Sequence, residues 1–150
     1  MVEVALFKPD IPQNTAAIVR TLACFESKLH IIEPCGFNLD DQRFKRVVMD
    51  YTNLVKIFRY SDFSDFIKKN HTKKIVLFTT KSDQSLYNFK FSKTDIILFG
   101  RESAGVPEEV HLKVNDRIKI PMQKEARSLN ISTAVGIGLA EAVRQTKTFE

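Results

Sequence analysis

The chain has 150 residues, of which 43% are hydrophobic and 27% are charged. This length and composition are typical of one soluble globular domain with a sizeable core. The net charge of +5 is compatible with a polyanionic partner, but the 23 Lys and Arg residues are spread evenly, which excludes a disordered basic tail.

The cysteines and histidines indicate no metal site. Cys24 and Cys35 lack the spacing of metal ligands, and His30, His71 and His111 lie far apart in the sequence. We therefore expect both cysteines to be reduced, buried thiols of a cytoplasmic protein. Since no apolar run approaches the ~20 residues of a membrane span, we expect no membrane association either.

Short apolar runs alternate with helical patterns along the chain. The apolar runs predict strands over Val2–Phe7, Leu29–Ile32, Val55–Phe58, Ile75–Thr79, Ile96–Phe99 and Arg117–Ile120. Helices are predicted from an Asn14 cap to about Glu26, over Asp40–Arg46, from a Ser61 cap past Phe63, Phe66 and Ile67, after Pro107, and over Asn130–Gln145. This alternation predicts one α/β domain over residues 1–150, with a mostly parallel sheet and helices on both faces.

Two of the predicted strands end in small and polar residues. The first ending is LFGRESAGVP, from Leu98 to Pro107, and the second is IPMQKEARSLNIS, from Ile120 to Ser132. Ligands of open α/β sheets bind beyond the carboxyl ends of strands, so the two loops predict one shared site. The usual phosphate-binding and nucleophile-elbow motifs are absent from the sequence, so the pattern alone does not name the ligand.

The polar residues of these loops each have two interpretations. Glu102 could accept hydrogen bonds from a bound amine, or it could order the neighbouring loops. Ser128 and Asn130 could cap the last helix, or they could present donors to a ligand. Gly136 and Gly138 are unusual inside a helix and indicate close approach of a neighbouring helix or a second subunit.

Basic residues outside the loops are equally ambiguous. Arg20 follows Asn14 by six residues and points away from the apolar face of its helix, so the pair is either an N-cap with a solvated arginine or part of a site. Arg43, Lys45 and Arg46 form either a charged surface helix or a patch that contacts phosphates.

Several segments together resemble a known family. They are PDIPQNTAAIVR from Pro9 to Arg20, HIIEPCGF from His30 to Phe37, MDY from Met49 to Tyr51, LFTTK from Leu77 to Lys81, and the two loop segments above. Their order and spacing resemble the SPOUT superfamily of S-adenosylmethionine-dependent RNA methyltransferases. The closest resemblance is to the small group that methylates the ribose 2′-oxygen of the tRNA wobble nucleotide.

The resemblance implies a fold, a cofactor and partners. The C-terminal segment would be threaded into a deep trefoil knot, S-adenosylmethionine would bind between the knot loops, and a homodimer would act on the tRNA anticodon stem-loop. The cofactor-binding residues would be Phe78, Thr79, Gly100, Glu102, Ile120, Met122, Ser128 and Leu129. The RNA-binding residues would be Arg43, Lys45, Arg46 and Arg127.

The resemblance also implies the catalytic residues, which would be Asn14, Arg20, Glu102, Ser128 and Asn130. A guanidinium keeps its proton at neutral pH, so we expect Arg20 to orient the hydroxyl or a phosphate and to stabilise negative charge. Two alternatives remain open: the same chemistry at another tRNA or rRNA site, or a non-catalytic RNA-binding protein that retains the fold.

Overall fold

The computed structural model describes residues 1–147, so the predicted domain of residues 1–150 includes three residues outside this range. The described residues form six strands: β1 (Glu3–Phe7), β2 (Leu29–Ile32), β3 (Ile57–Tyr60), β4 (Ile75–Phe78), β5 (Ile96–Phe99) and β6 (Asp116–Ile118). They also form five α-helices: α1 (Pro12–Phe25), α2 (Gln42–Val48), α3 (Phe63–Lys69), α4 (Glu108–Lys113) and α5 (Ile131–Thr146).

The six strands make one sheet in the order β3-β2-β1-β5-β4-β6, and every pairing is parallel. The predicted α/β architecture is therefore confirmed. The chain runs from β1 outward to β3 and then crosses to the other half of the sheet. As a result, β1 lies beside β5, and the loops after these two strands meet at one edge.

The side chains of each strand alternate between the two faces of the sheet, so the core has two layers. Val4, Leu6 and Ile97 face one layer, in which Ile18 of α1 and Leu139 of α5 are fully buried. The intervening strand residues face the other layer, which α3 and α4 cover with Phe63, Phe66, Val110 and Val114. Successive side chains of a strand point to opposite faces, and β4 and β5, which are buried on both faces, are apolar at every position.

One buried polar cluster lies in the layer that α3 covers, at the start of β1. The Glu3 carboxylate accepts a hydrogen bond from His30 Nε2 at 2.7 Å and from Lys73 Nζ at 2.8 Å. The other ring nitrogen of His30 lies 2.7 Å from the Tyr60 hydroxyl, which also accepts a hydrogen bond from Asn70 at 3.2 Å. The cluster is therefore a fully partnered network.

The predicted cap residues of two helices are wrong. Helix α1 begins at Pro12 with Ile11 at the cap position, and Asn14 lies inside the first turn. Helix α3 is capped by the Asp62 side chain, which accepts a hydrogen bond from Asp65 N at 2.7 Å, and not by Ser61. In both places a residue with a short polar side chain lies near the true start of the helix. Such residues are common caps, so the local sequence predicts the wrong cap residue.

Other predicted features differ from the structure in smaller ways. Strand β3 starts at Ile57 instead of Val55, and α2 covers Gln42–Val48 instead of Asp40–Arg46. Both cysteines are free, as expected, but Cys24 is exposed and Cys35 is only partly buried, so the prediction of two buried thiols is wrong. Cys24 falls on the outer face of α1, while burial raises the pKa of the Cys35 thiol to about 12.

The described residues contain neither a membrane-spanning helix nor a cluster of metal ligands. None of the described helices is long and apolar enough to cross a membrane. Across residues 1–147, no group of three or more His, Cys, Asp or Glu side chains is arranged to hold a metal ion.

Candidate active site

A cavity of about 570 Å³ opens at the carboxyl ends of β4 and β5. Its wall combines apolar side chains with the polar ends of three loops and with residues that follow β1. The lining residues include Ile11, Asn14, Phe78, Thr79, Lys81, Phe99, Gly100, Glu102, Val106, His111, Ile120, Met122, Ser128, Leu129 and Asn130. A concave, largely apolar space with a few convergent polar groups is the usual form of a small-molecule site.

The loop after β5 is a tight backbone hairpin. Arg101 and Gly105 exchange two backbone hydrogen bonds of 3.0 and 2.9 Å. A Cβ atom on Gly100 would lie 2.6 Å from the Cα atom of Gly105, and Gly105 itself has a φ of 63°. Gly100 thus permits the close approach, and Gly105 adopts the left-handed conformation that closes the hairpin.

Glu102 ties this loop to the start of α1. Its carboxylate accepts hydrogen bonds from the backbone N–H groups of Asp10 at 3.2 Å and Ile11 at 2.6 Å. Ile11 has no capping side chain, and Glu102, from 91 residues away, holds the backbone immediately before the first turn of α1. Of its two interpretations, the geometry therefore supports the ordering of loops.

Asp10 reinforces the same junction from the other side. Its carboxylate pairs with Arg101 and accepts hydrogen bonds from Ser103 N at 3.0 Å and Ser103 Oγ at 2.6 Å. The hydrogen bonds from Ser103 and from Arg101 lower the pKa of Asp10. The loops after β1 and β5 thus hold one another in a fixed arrangement beside the cavity.

Asn130 performs a similar task at the start of α5. Its Oδ1 accepts hydrogen bonds from Ser132 N at 2.9 Å and Thr133 N at 3.4 Å, and its Nδ2 donates to Asn14 Oδ1 at 3.1 Å. Asn130 is therefore the N-cap of α5 and links that helix to α1. Ser128 makes no such capping bond within residues 1–147, and it lines the cavity.

The Phe78 ring forms part of the cavity wall that faces the core. It stacks on Phe99 with ring centroids 4.6 Å apart. Gly138 of α5 leaves room for it, since a Cβ atom there would lie 2.7 Å from two atoms of the Phe78 ring. The Phe78 ring thus explains why position 138 is a glycine. A Cβ atom on Gly136, in contrast, would meet nothing within 4 Å.

The chain matches the pattern of a known protein family over most of its length. The pattern of the SpoU rRNA Methylase family matches residues 1–140 of the chain. The chain belongs to this family.

A curated relative and a solved structure show how far the likeness to known proteins extends. A relative from Ancylobacter novellus, named tRNA (cytidine(34)-2'-O)-methyltransferase, is 44% identical, and the match covers 97% of this chain and 93% of that protein. A solved structure described as "Structural insights into the 2-OH methylation of C/U34 on tRNA" has a TM-score of 0.91 at 38% identity, with 97% of this chain and 95% of that chain covered.

A more distantly similar solved structure shares the fold. The AdoMet-bound rRNA methyltransferase from Sinorhizobium meliloti has a TM-score of 0.85 at 24% identity. The match covers 95% of this chain and 56% of that chain.

The structure brings together most of the residues that the resemblance singled out. All eight predicted cofactor-binding residues line the cavity: Phe78, Thr79, Gly100, Glu102, Ile120, Met122, Ser128 and Leu129. Of the remaining predicted catalytic residues, Asn14 and Asn130 also line it, and Arg20 does not. Their roles in a SpoU-type reaction stay predictions.

Arg20 lies on the exposed face of α1, with its guanidinium carbon 5.9 Å from the centre of the Tyr51 ring. Six residues advance a helix by about 9 Å and rotate it by about 240°, which separates Arg20 from Asn14. The cavity of one chain therefore lacks the arginine that the resemblance assigns to it.

The predicted RNA-binding residues form two separate groups. On α2, Arg43 pairs with Asp41 at 3.2 Å and Lys45 with Asp40 at 3.8 Å, while Arg46 is exposed. Arg127 is exposed on the loop that leads into α5, next to the cavity residue Ser128.

Lys81 and His111 are among the cavity residues that were not predicted from the sequence. Lys81 belongs to the TTK string that carried part of the resemblance, so a signal for it existed. His111 lies in α4, a helix whose residues contributed nothing to the resemblance, and no sequence signal identified it.

Proposed function

We propose that this protein transfers a methyl group from S-adenosylmethionine to the ribose 2′-oxygen of the wobble nucleotide of tRNA. The near-full-length match to a tRNA (cytidine(34)-2'-O)-methyltransferase at 44% identity is the observation that carries this proposal. The cavity supports it, because the residues expected to hold the cofactor line one continuous wall.

The cavity suits S-adenosylmethionine in size and in chemistry. Its volume of about 570 Å³ lies within the range of small-molecule sites. Phe78, Ile120 and Leu129 offer apolar surface to a purine, while the ends of three loops offer polar groups. When bound, S-adenosylmethionine supplies a methyl group on a positively charged sulfur.

The chain's own residues then have to position a weak nucleophile. A ribose hydroxyl reacts only when it is held close to and in line with the methyl group, and its proton must be lost. Arg20 would orient the hydroxyl or the neighbouring phosphate and stabilise negative charge on the oxygen. Glu102 and the Asn14–Asn130 pair would keep the loops in place for this reaction, since they join α1 to the loops around the cavity.

A homodimer would complete the site. Arg20 is exposed and outside the cavity of its own chain, so we infer that a second copy presents its Arg20 to this cavity. Mixing two inactive variants tests this arrangement. Arg20→Ala removes the guanidinium, and Ile120→Glu places a carboxylate in the cavity wall. Random pairing gives half mixed dimers with one intact site each, so activity should return to about a quarter of the wild-type value. A mixture that stays inactive would place Arg20 and the cavity of one chain in the same site.

The anticodon stem-loop would contact the basic residues near the cavity. Arg127 and Lys81 are exposed beside it, and Arg46 is exposed on α2. Arg43 and Lys45 are neighbours of acidic residues, so we expect them to contribute less to RNA binding. Each phosphate contact adds about one unit to the slope of log K against log salt concentration. A substitution that lowers this slope by about one therefore identifies a residue that contacts a phosphate.

The resemblance supports three further features of the proposal. One methyltransferase domain would span residues 1–150, its C-terminal segment would form the trefoil knot, and a tRNA substrate would place the enzyme in the cytoplasm. The likeness to the structure concerned with C/U34 methylation, at a TM-score of 0.91, supports the shared fold on which these features depend.

Mapping the modified nucleotide tests the proposed function directly. Purified protein is incubated with S-adenosylmethionine and unmodified tRNA, and nuclease fragments are analysed by mass spectrometry. We expect a single added methyl group on the ribose of the wobble nucleotide and no turnover by Arg20→Ala, whose cofactor affinity should stay near that of the wild type. Methylation at another tRNA or rRNA position would refute the wobble assignment, and the absence of cofactor binding would favour a non-catalytic RNA-binding protein.

A further inference from the structure

His111 is a buried polar side chain that the proposed reaction leaves unused. Only 8% of the residue is exposed, yet it lines the cavity at the carboxyl ends of β4 and β5. Its neighbours Val110 and Val114 are apolar and buried in the core. The same position could be filled by an apolar residue without loss of packing, so the presence of an imidazole calls for an explanation.

The imidazole of His111 makes no hydrogen bond and no ion pair with any residue between 1 and 147. The backbone of this residue, in contrast, is anchored at both of its polar groups. Its N–H donates to the Pro107 carbonyl at 3.4 Å, and its carbonyl accepts from Arg117 Nε. The ring is therefore carried by a fixed backbone, and the space available to its nitrogen atoms is the cavity.

The enclosed and unpartnered side-chain atoms of residues 1–147 are Thr15 Oγ1 and Arg101 Nε, so the ring nitrogens of His111 are open to the cavity and free to hydrogen-bond to an occupant there. A neutral imidazole offers one N–H donor and one acceptor nitrogen. We infer that His111 binds the methyl donor through a hydrogen bond from its imidazole and so helps to fix the cofactor in the cavity. This inference rests on the proposed function, because it takes S-adenosylmethionine as the occupant.

The role belongs to binding and not to the transfer of the methyl group. His111 lies on α4, and it follows the Gly100–Gly105 hairpin by six residues, close to the cavity wall that Val106 continues. The hairpin and α4 would therefore contact the bound cofactor as one unit. Loss of the imidazole should weaken cofactor binding while the loops around Asn14 and Asn130 stay in place.

Calorimetry with S-adenosylhomocysteine, the product form of the cofactor, tests this inference without turnover. We expect His111→Leu to weaken binding about tenfold, which corresponds to about 1.4 kcal/mol. His111→Gln retains a donor and an acceptor and should bind within about threefold of the wild type. Leu112→Ala changes the exposed neighbour on the same helix and should leave the affinity unchanged.

Thermal unfolding separates binding from a structural role. If His111 serves the cofactor, His111→Leu unfolds at the same temperature as the wild type or higher when unliganded, and S-adenosylhomocysteine raises that temperature less. An unchanged affinity of His111→Leu would overturn the inference, as would a loss of affinity matched by a loss of unliganded stability. Failure of the wild type to bind S-adenosylhomocysteine would instead refute the cofactor assignment itself.

Discussion

Replacing Gly138 by alanine should disturb the cavity from the core side. The added methyl group would lie 2.7 Å from Cε1 and Cζ of Phe78, far inside normal contact distance. The ring has little freedom to move away, because it is 8% exposed and stacks on Phe99. We therefore expect Gly138→Ala to push the Phe78 ring toward the space assigned to the cofactor.

The size of the effect follows from two opposing contributions. Overpacking a core by one methyl group costs about 1–3 kcal/mol, whereas replacing glycine by alanine inside a helix contributes up to about 1 kcal/mol of stability. With the full helix gain, the free energy of unfolding should fall by about 0–2 kcal/mol. Gly136→Ala has the same effect on helix propensity but meets no atom within 4 Å, so it should be neutral or stabilising.

A double-mutant cycle measures the contact itself. Phe78→Leu removes the ring atoms that the new methyl group would meet, so Gly138→Ala should cost less in that background, with a favourable coupling of about 1 kcal/mol. Denaturant titrations give the free energies of unfolding of the four proteins. Calorimetry measures their affinity for S-adenosylhomocysteine and so shows whether the cavity is disturbed. Equal stability of Gly138→Ala and Gly136→Ala, with no coupling to Phe78, would refute the reasoning.

Three further substitutions address the hairpin, the cap of α5 and the polar cluster. Gly100→Ala places a Cβ atom 2.6 Å from a backbone atom, so we expect a loss of about 3 kcal/mol or more, seen as a lower unfolding midpoint and weaker cofactor binding. Asn130→Ala removes the N-cap and should cost about 1 kcal/mol in denaturant titrations, and an unchanged stability would contradict the capping role. Burial opposes ionisation of Glu3, but hydrogen bonds from His30 and Lys73 outweigh this effect. They lower the pKa of Glu3 from 4.5 to about 2. The ionised carboxylate therefore stabilises the fold above pH 4.5, and this stabilisation is lost as the pH falls toward 2. Glu3→Gln should therefore lower the free energy of unfolding by about 3 kcal/mol at pH 7 and by little at pH 2, whereas equal losses at both pH values would argue against this linkage.

The alternation of elements could be predicted because it depends on local apolar patterns. Strands such as β4 and β5 are apolar at every position, which identifies them without knowledge of their neighbours. The start of α1 could not be predicted in the same way. The backbone just before it is held by Glu102, which lies 91 residues further along the chain, and no local signal indicates such a partner.

The location of the cavity could also be predicted in part. Strand endings rich in small and polar residues indicated two loops, and the resemblance added the loop after β4. The placement of Asn14 beside Asn130 depends on the neighbouring position of β1 and β5, which the alternation of elements does not determine. His111 was not predicted for a different reason. In the sequence, a histidine among apolar residues resembles an ordinary core position, and only the structure shows that its ring lines the cavity.

Arg20 shows where nearness in sequence misleads. Asn14 and Arg20 lie on one helix and were expected in one site, yet a separation of six residues directs them to different sides of α1. A rigid helix cannot bring both side chains into the cavity that Asn14 lines. If both act on the same ribose, as the resemblance implies, the second copy of the proposed homodimer would supply the arginine, and the offset of Arg20 from Asn14 on α1 supports that arrangement. A monomeric enzyme with full activity would therefore contradict the role of Arg20 even if the cofactor bound as proposed.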